Sequence, residues 1–156
     1  MSNEFFSFSV RSLPHRQNRM AASNVKWRLL AVERQHGRCC YCECPLFEQR
    51  STDLASFALR HGLSHRQGMR FLSTAEHLRP KSEGGKNGPG NIAAACRYCN
   101  IMRHRRRKAF SFQEYRAYVR RRVSRGKWHP RWVHDAILRI GIGAGASGNS
   151  TPGHLA

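Results

Sequence analysis

The sequence predicts an α+β fold in which a strand–loop–strand–helix unit is flanked by further helices and tied by two cysteine pairs. Three observations predict it. Cys39-x-x-Cys42 and Cys96-x-x-Cys99 are matched pairs that bracket the middle of the chain. Between and behind them run a strand-like stretch from Phe71 to Leu78, a glycine-rich loop from Pro80 to Gly90, a second short strand at Asn91 to Ala95 and a helix from about Cys99 to Lys108. Finally, 156 residues allow one compact domain with a modest core, the size at which a fold commonly needs a staple.

Taken in order, residues 1–21 mix Phe, Ser, Arg and Pro without a period and read as a flexible arm. Ser23 or Asn24 can cap a helix carrying Trp27, Leu30 and Val32, which Gly37 should end in a left-handed turn. Cys39 to Pro45 form a tight turn. Residues 52–70 read as a basic helical insertion of two short helices broken at Gly62-Leu63-Ser64, with Leu54, Phe57, Ala58 and Leu59 on one face. The break has a helix-turn-helix flavour, but Gly68 stands where that motif needs an aliphatic side chain. Ser111-Phe-Gln-Glu114 is a capping box that opens a helix ending near Gly126. Trp128 and Trp132 flank Pro130 and read as core or lid residues, with a short helix following through Ile140. The organisation is thus an arm (1–21), a domain (22–140) with its core at 39–108, an insertion at 52–70 and C-terminal helices at 111–140, and a Gly/Ser/Thr-rich disordered tail (141–156).

Charge is the strongest global signal. Lys plus Arg number 28 and Asp plus Glu 9, a net charge of +19. Such a field concentrates polyanions, and nucleic acid is the partner that phosphate contacts and counterion release would capture. No stretch approaches the ~20 apolar residues of a membrane span, and the first twenty residues lack the apolar run of a secretory signal. A cytoplasmic setting follows, in which six cysteines read as metal ligands or free thiols rather than disulfides.

Two C-x-x-C turns can each supply adjacent corners of a thiolate tetrahedron around Zn2+. Cys39, Cys42, Cys96 and Cys99 are the preferred set because the two spacings match. Pairing of Cys42 with Cys44, or Cys40 in place of Cys39, are the alternatives. A closed site of four thiolates leaves no position for water, so this zinc is expected to be structural.

Glu76-His77 lies between the cysteine pairs, Asn91 follows the loop, and Asn100 follows the second pair directly. A neutral imidazole is suited to take a proton from water near pH 7, and a neighbouring carboxylate to bind a hard divalent cation. Neighbours in a strand point to opposite faces, so both can serve one site only where the strand ends or distorts. His104 shares a helix face with Asn100 and reads as part of the basic face, with ligation as the alternative.

From Cys39 to Lys108 the words C-C-Y-C, T-A-E-H-L-R-P-K-S-E-G-G and N-I-A-A-A-C-R-Y-C-N resemble the HNH endonuclease family, the ββα-metal nucleases with a four-cysteine zinc site. The resemblance covers about 70 residues. It implies that His77 is the general base, that Glu76 binds a catalytic Mg2+ or Mn2+ in place of the more usual Asp, that Asn91 holds the loop and orients His77, and that Asn100 is the second metal ligand. Where the family often carries Lys, this chain has Arg103. Arg79, Lys81, Arg103, Arg105, Arg106, Arg107 and Lys108 are expected to grip the backbone of double-stranded DNA, since arginine forks fit phosphate oxygens without reading sequence. The expected activity is metal-dependent endonucleolytic hydrolysis of DNA. The alternatives are a non-catalytic zinc-stabilised nucleic-acid-binding module and an RNA-directed nuclease with the same site.

Overall fold

A computed structural model describes residues 15–48, 54–107 and 110–138, with side chains placed from Asn24 to Ile137. The expected tail, residues 1–14 of the expected arm, and Lys108 lie outside the described residues.

Helix α1 (His15–Arg34) begins well before the expected cap at Ser23 or Asn24, and takes in residues 15–21 of the expected arm. The stretch from Arg16 to Ala22 is built mostly of Arg, Gln, Met and Ala, strong helix formers that give the chain no reason to stop. Among its described side chains the buried one is Ala31, while Leu29 and Leu30 are exposed, so this part of α1 meets the sheet through a small side chain. The helix ends in a left-handed turn at His36 and Gly37 (φ 52° and 68°), where the Gly37 N–H donates to the Val32 carbonyl at 2.9 Å.

The insertion forms α2 (Leu54–Arg60) and α3 (His65–Gly68), broken at Gly62 (φ 60°) and restarted by a Ser64–Gln67 capping box. Phe57 and Ala58 are buried, but Leu59 faces solvent rather than sharing their face. Gly68 lets α3 close on α2: a Cβ there would come within 2.8 Å of Leu54 Cδ1.

Strands β1 (Ser73–His77) and β2 (Ile92–Cys96) pair antiparallel, with Ser73 opposite Cys96, Glu76 opposite Ala93 and His77 opposite Ile92. β2 is buried throughout, and its run Ala93-Ala94-Ala95 keeps that strand thin enough for α1 to pack on it. The Gln35 amide clamps the strand, accepting from the Ala94 N–H at 2.9 Å and donating to the Ala94 carbonyl at 2.8 Å. Helix α4 (Arg97–His104) starts two residues earlier than expected because Cys96 itself is the cap, its Sγ accepting from the Cys99 N–H at 3.3 Å. Helix α5 (Phe112–Ser124) opens with both bonds of the Ser111–Glu114 capping box. Helix α6 (Arg131–Val133) runs into a π-helical turn at His134–Leu138. The core gathers Tyr41, Phe47, Phe71, Tyr115, Val119 and Trp128 around the cysteines. The result is a ββα unit with helices packed around it. Among the described residues no helix is long and apolar enough to cross a membrane.

Candidate metal centre and catalytic cleft

The Cys39 turn is closed by the Cys39 N–H on the Cys44 carbonyl at 3.0 Å, with Glu43 in the left-handed region (φ 62°). It carries Cys39 and Cys42 toward Cys96, at the end of β2, and Cys99, in the first turn of α4. The four sulfurs lie within 4.8 Å of one another and all four residues are buried. Cys42 Sγ and Cys96 Sγ are 3.8 Å apart, close to the ~3.8 Å edge of a tetrahedron built on ~2.3 Å Zn–S bonds. Burial pushes the Cys96 and Cys99 thiols well up from their ordinary range, a shift that a bound cation would oppose. Amide and indole donors point at the sulfurs: Tyr41 N–H at 3.4 Å and Cys96 N–H at 3.3 Å on Cys39, and Trp128 Nε1–H at 3.2 Å on Cys99. The donor set fits tetrahedral zinc, in the preferred pairing. Cys40, half-buried, stands outside it. Cys44 forms a second buried group with Cys42 and His129, its Sγ 3.6 Å from His129 Nε2.

Beside this cluster, a cleft of about 500 Å³ opens between β1, the loop after it and the end of α4. Glu76 and His77 both line it, together with Lys81, Arg103, His104 and Arg107. His77 is the last residue of β1, which is how two strand neighbours reach one cleft. His77 Nε2 meets Asn87 Oδ1 at 2.8 Å. An amide oxygen only accepts, so this contact calls for the proton on Nε2, which in a neutral ring leaves Nδ1 as the acceptor. Asn91 does not touch the ring. Its Oδ1 accepts from the Arg79 N–H at 2.7 Å and its Nδ2 donates to the Arg79 and Lys86 carbonyls at 3.1 and 2.9 Å, tying both ends of the loop.

Glu76 is 2 % exposed and takes an ion pair from Arg103, which also donates to the Tyr41 hydroxyl at 3.0 Å and the Phe110 carbonyl at 3.1 Å. Burial pushes the Glu76 carboxyl up, and Arg103 and His104 oppose that shift. Burial likewise pushes the Tyr41 phenol up, which keeps it a neutral donor. Glu76 Oε2 is buried with no hydrogen-bond partner. So is Asn100 Oδ1, whose Nδ2 donates to Thr74 Oγ1 at 3.0 Å. Asn100 lines a neighbouring depression rather than the cleft itself, and His104 lines both. Two orphaned oxygens on adjoining elements are donors suited to a hard divalent cation.

Of the basic residues singled out, Arg79, Lys81, Arg105 and Arg107 are exposed. Arg106 lies over the Tyr118 ring at 4.2 Å and the Phe110 ring at 5.0 Å. Arg103 is committed to Glu76. Sequence reasoning missed Asn87, one polar residue in a loop full of turn formers, and His129, which reaches Cys44 from 85 positions away.

Residues 66–106 match the family model described as HNH endonuclease. No curated protein and no solved structure shows a significant match. The matched segment holds β1, the loop, β2 and α4, and with them Glu76, His77, Asn91, Asn100 and the second cysteine pair. The first cysteine pair lies outside it. The match to the HNH model thus falls on a two-stranded sheet and a helix that meet at a four-cysteine cluster.

Proposed function

We propose that this chain is a metal-dependent endonuclease that hydrolyses phosphodiester bonds in double-stranded DNA, acting in the cytoplasm, with a structural zinc at the four cysteines. The observation that carries the reading is His77, held through Nε2 by Asn87, beside Glu76 in a cleft lined by Lys81, Arg103 and Arg107. His77 takes the proton of a water as it attacks phosphorus, the role of a general base. Glu76 and Asn100 would hold the catalytic Mg2+ or Mn2+, and that ion would supply positive charge to the pentacovalent phosphorus and the departing 3′ oxygen. Asn91 keeps the loop closed beneath Asn87. Lys81, Arg105 and Arg107 neutralise phosphates and position the duplex without reading its sequence.

The ion pair between Arg103 and Glu76 favours a second reading, a zinc-stabilised module that binds nucleic acid without cutting it, because the guanidinium already occupies one carboxylate oxygen. Supercoiled plasmid with Mg2+ or Mn2+ separates the two. The endonuclease reading expects nicked or linear product that EDTA suppresses and that His77→Ala loses by at least ~100-fold. Equal nicking by wild type and His77→Ala, or none by either, overturns it. A parallel incubation with labelled RNA tests the nucleic acid class.

A further inference from the structure

Helix α4 turns one face to solvent. Arg97, Ile101 and Arg105 stand four residues apart along it, and all three are exposed. Ile101 is 39 % exposed, an aliphatic side chain with an arginine four positions away on either side. A scattered apolar residue on a surface needs no explanation by itself; the setting of this one does. Two depressions meet at Ile101, and Arg97 and Arg105 line both. One continues through His104 into the cleft that holds Glu76 and His77. The other runs to the insertion, where Arg66 and Arg70 complete its rim. Arg70 is fixed there over the Tyr98 ring at 5.1 Å and the Trp132 ring at 5.8 Å. No acidic residue lines either depression.

We propose that Ile101 is a wedge that enters the base stack of a nucleic acid duplex, with Arg97 and Arg105 on phosphates to either side. The two arginines sit ~12 Å apart along the helix axis, at ~1.5 Å per residue. That span lets them reach opposite walls of a minor groove about 6 Å wide with Ile101 aimed between them. Apolar wedges flanked by cations unstack one step and kink the duplex, and the wider protein surface that the bent duplex wraps offsets the unstacking. The substrate class is therefore duplex with deformable pyrimidine–purine steps, where unstacking costs least. The surface lies beyond the cleft and brings the insertion into substrate binding. The proposal rests on the nucleic-acid part of the reading above and not on its catalytic part.

The test uses the full chain carrying His77→Ala, so that nothing is cut, and duplexes with 2-aminopurine at a TA step or within an A-tract. Binding should raise the fluorescence several-fold at the TA step and little in the A-tract. Adding Ile101→Ala should abolish the rise, and Ile101→Leu should restore it. The salt slope of binding should be unchanged by Ile101→Ala and reduced by about 0.9 by Arg97→Ala. Zinc content confirms that each variant is folded. An undiminished rise with Ile101→Ala overturns the wedge while leaving plasmid nicking intact. A rise that needs Ile101, in a protein that nicks nothing, leaves the wedge standing and removes the catalytic reading. Absence of duplex binding sinks both.

Discussion

The guanidinium of Arg103 sits on the carboxylate of Glu76, beneath the cleft and against the hydroxyl of Tyr41. Both side chains are almost wholly buried, so neither charge can turn to water if the other is removed. Arg103→Ala should cost about 3–5 kcal/mol of stability, the usual penalty for orphaning a buried charge, read by urea denaturation. If Glu76 is also a metal ligand, Mg2+ or Mn2+ should raise the Tm of Arg103→Ala more than that of wild type, because the ion no longer shares the carboxylate with a guanidinium. An equal shift in both proteins would remove Glu76 from the metal site.

Asn87 is a positioning residue for His77. Asn87→Ala should lower kcat by ~10- to 100-fold with KM nearly unchanged, since the ring loses its preferred tautomer but the phosphate contacts remain. Asn87→Asp, which still accepts from Nε2, should recover most of the loss and move the acid limb of the pH–rate profile upward, because an added negative charge favours the imidazolium. A rise in KM with kcat intact would speak against this role.

Gly85 has no room for a side chain. A Cβ there would fall on the Arg79 carbonyl oxygen and within 2.8 Å of the Pro80 carbonyl oxygen, both main-chain atoms that cannot swing aside. Gly85→Ala should open the loop that Asn91 ties, reducing activity by at least ~10-fold while the zinc content stays at the wild-type value. Gly88 meets nothing within 4 Å, and Gly88→Ala should be nearly silent in the same assay.

Removal of the cluster ion should unfold the domain. Cys96→Ser takes away one thiolate of the cluster while keeping a side chain able to cap α4, so any loss of helical signal reports the lost ligand, and it should come together with loss of zinc. Cys40→Ser, outside the cluster and half-buried, should change stability by less than ~1 kcal/mol. A folded, helical Cys96→Ser protein would contradict a structural role for the metal.

Burial holds the His129 imidazole near a pKa of about 4, below its ordinary 6.5. A depressed value means that the folded protein keeps the ring neutral. The stability this gives is complete above pH 6.5 and is lost as pH falls toward 4, roughly 3 kcal/mol in all. His129→Gln should flatten the stability profile across that window relative to wild type. Parallel profiles would show that the ring is not excluded from water.

Local chemistry makes much of this molecule readable from its sequence. The Ser111–Glu114 capping box, the break at Gly62, the left-handed turn at Gly37 and the matched cysteine spacing are short-range rules that hold wherever the rest of the chain goes. The start of α1 is not readable in this way, because Ser23 and Asn24 are good caps only where a helix has reason to begin, and the preceding residues already favour one. Leu59 looks apolar and adjacent to Phe57 and Ala58 in sequence, yet the packing of α2 leaves it in solvent. The contacts that shape the cleft are of another kind. That Asn87 rather than Asn91 meets His77, that Arg103 lies on Glu76, and that His129 reaches Cys44 depend on how distant segments stack, and a single sequence keeps no record of such approaches.

The two cysteine pairs stand at opposite ends of the sheet-forming segment, so the cluster joins the first turn of the core to its last helix. During synthesis the second pair leaves the ribosome after β1, the loop and β2 have already been made. A nascent chain stopped between His77 and Cys99 holds Glu76 and His77 but lacks Asn100 and the sulfur that completes the cluster. If zinc fills the cluster, ion capture becomes a timing device: the cleft is completed only when both cysteine pairs have been translated, and its assembly follows the supply of that ion.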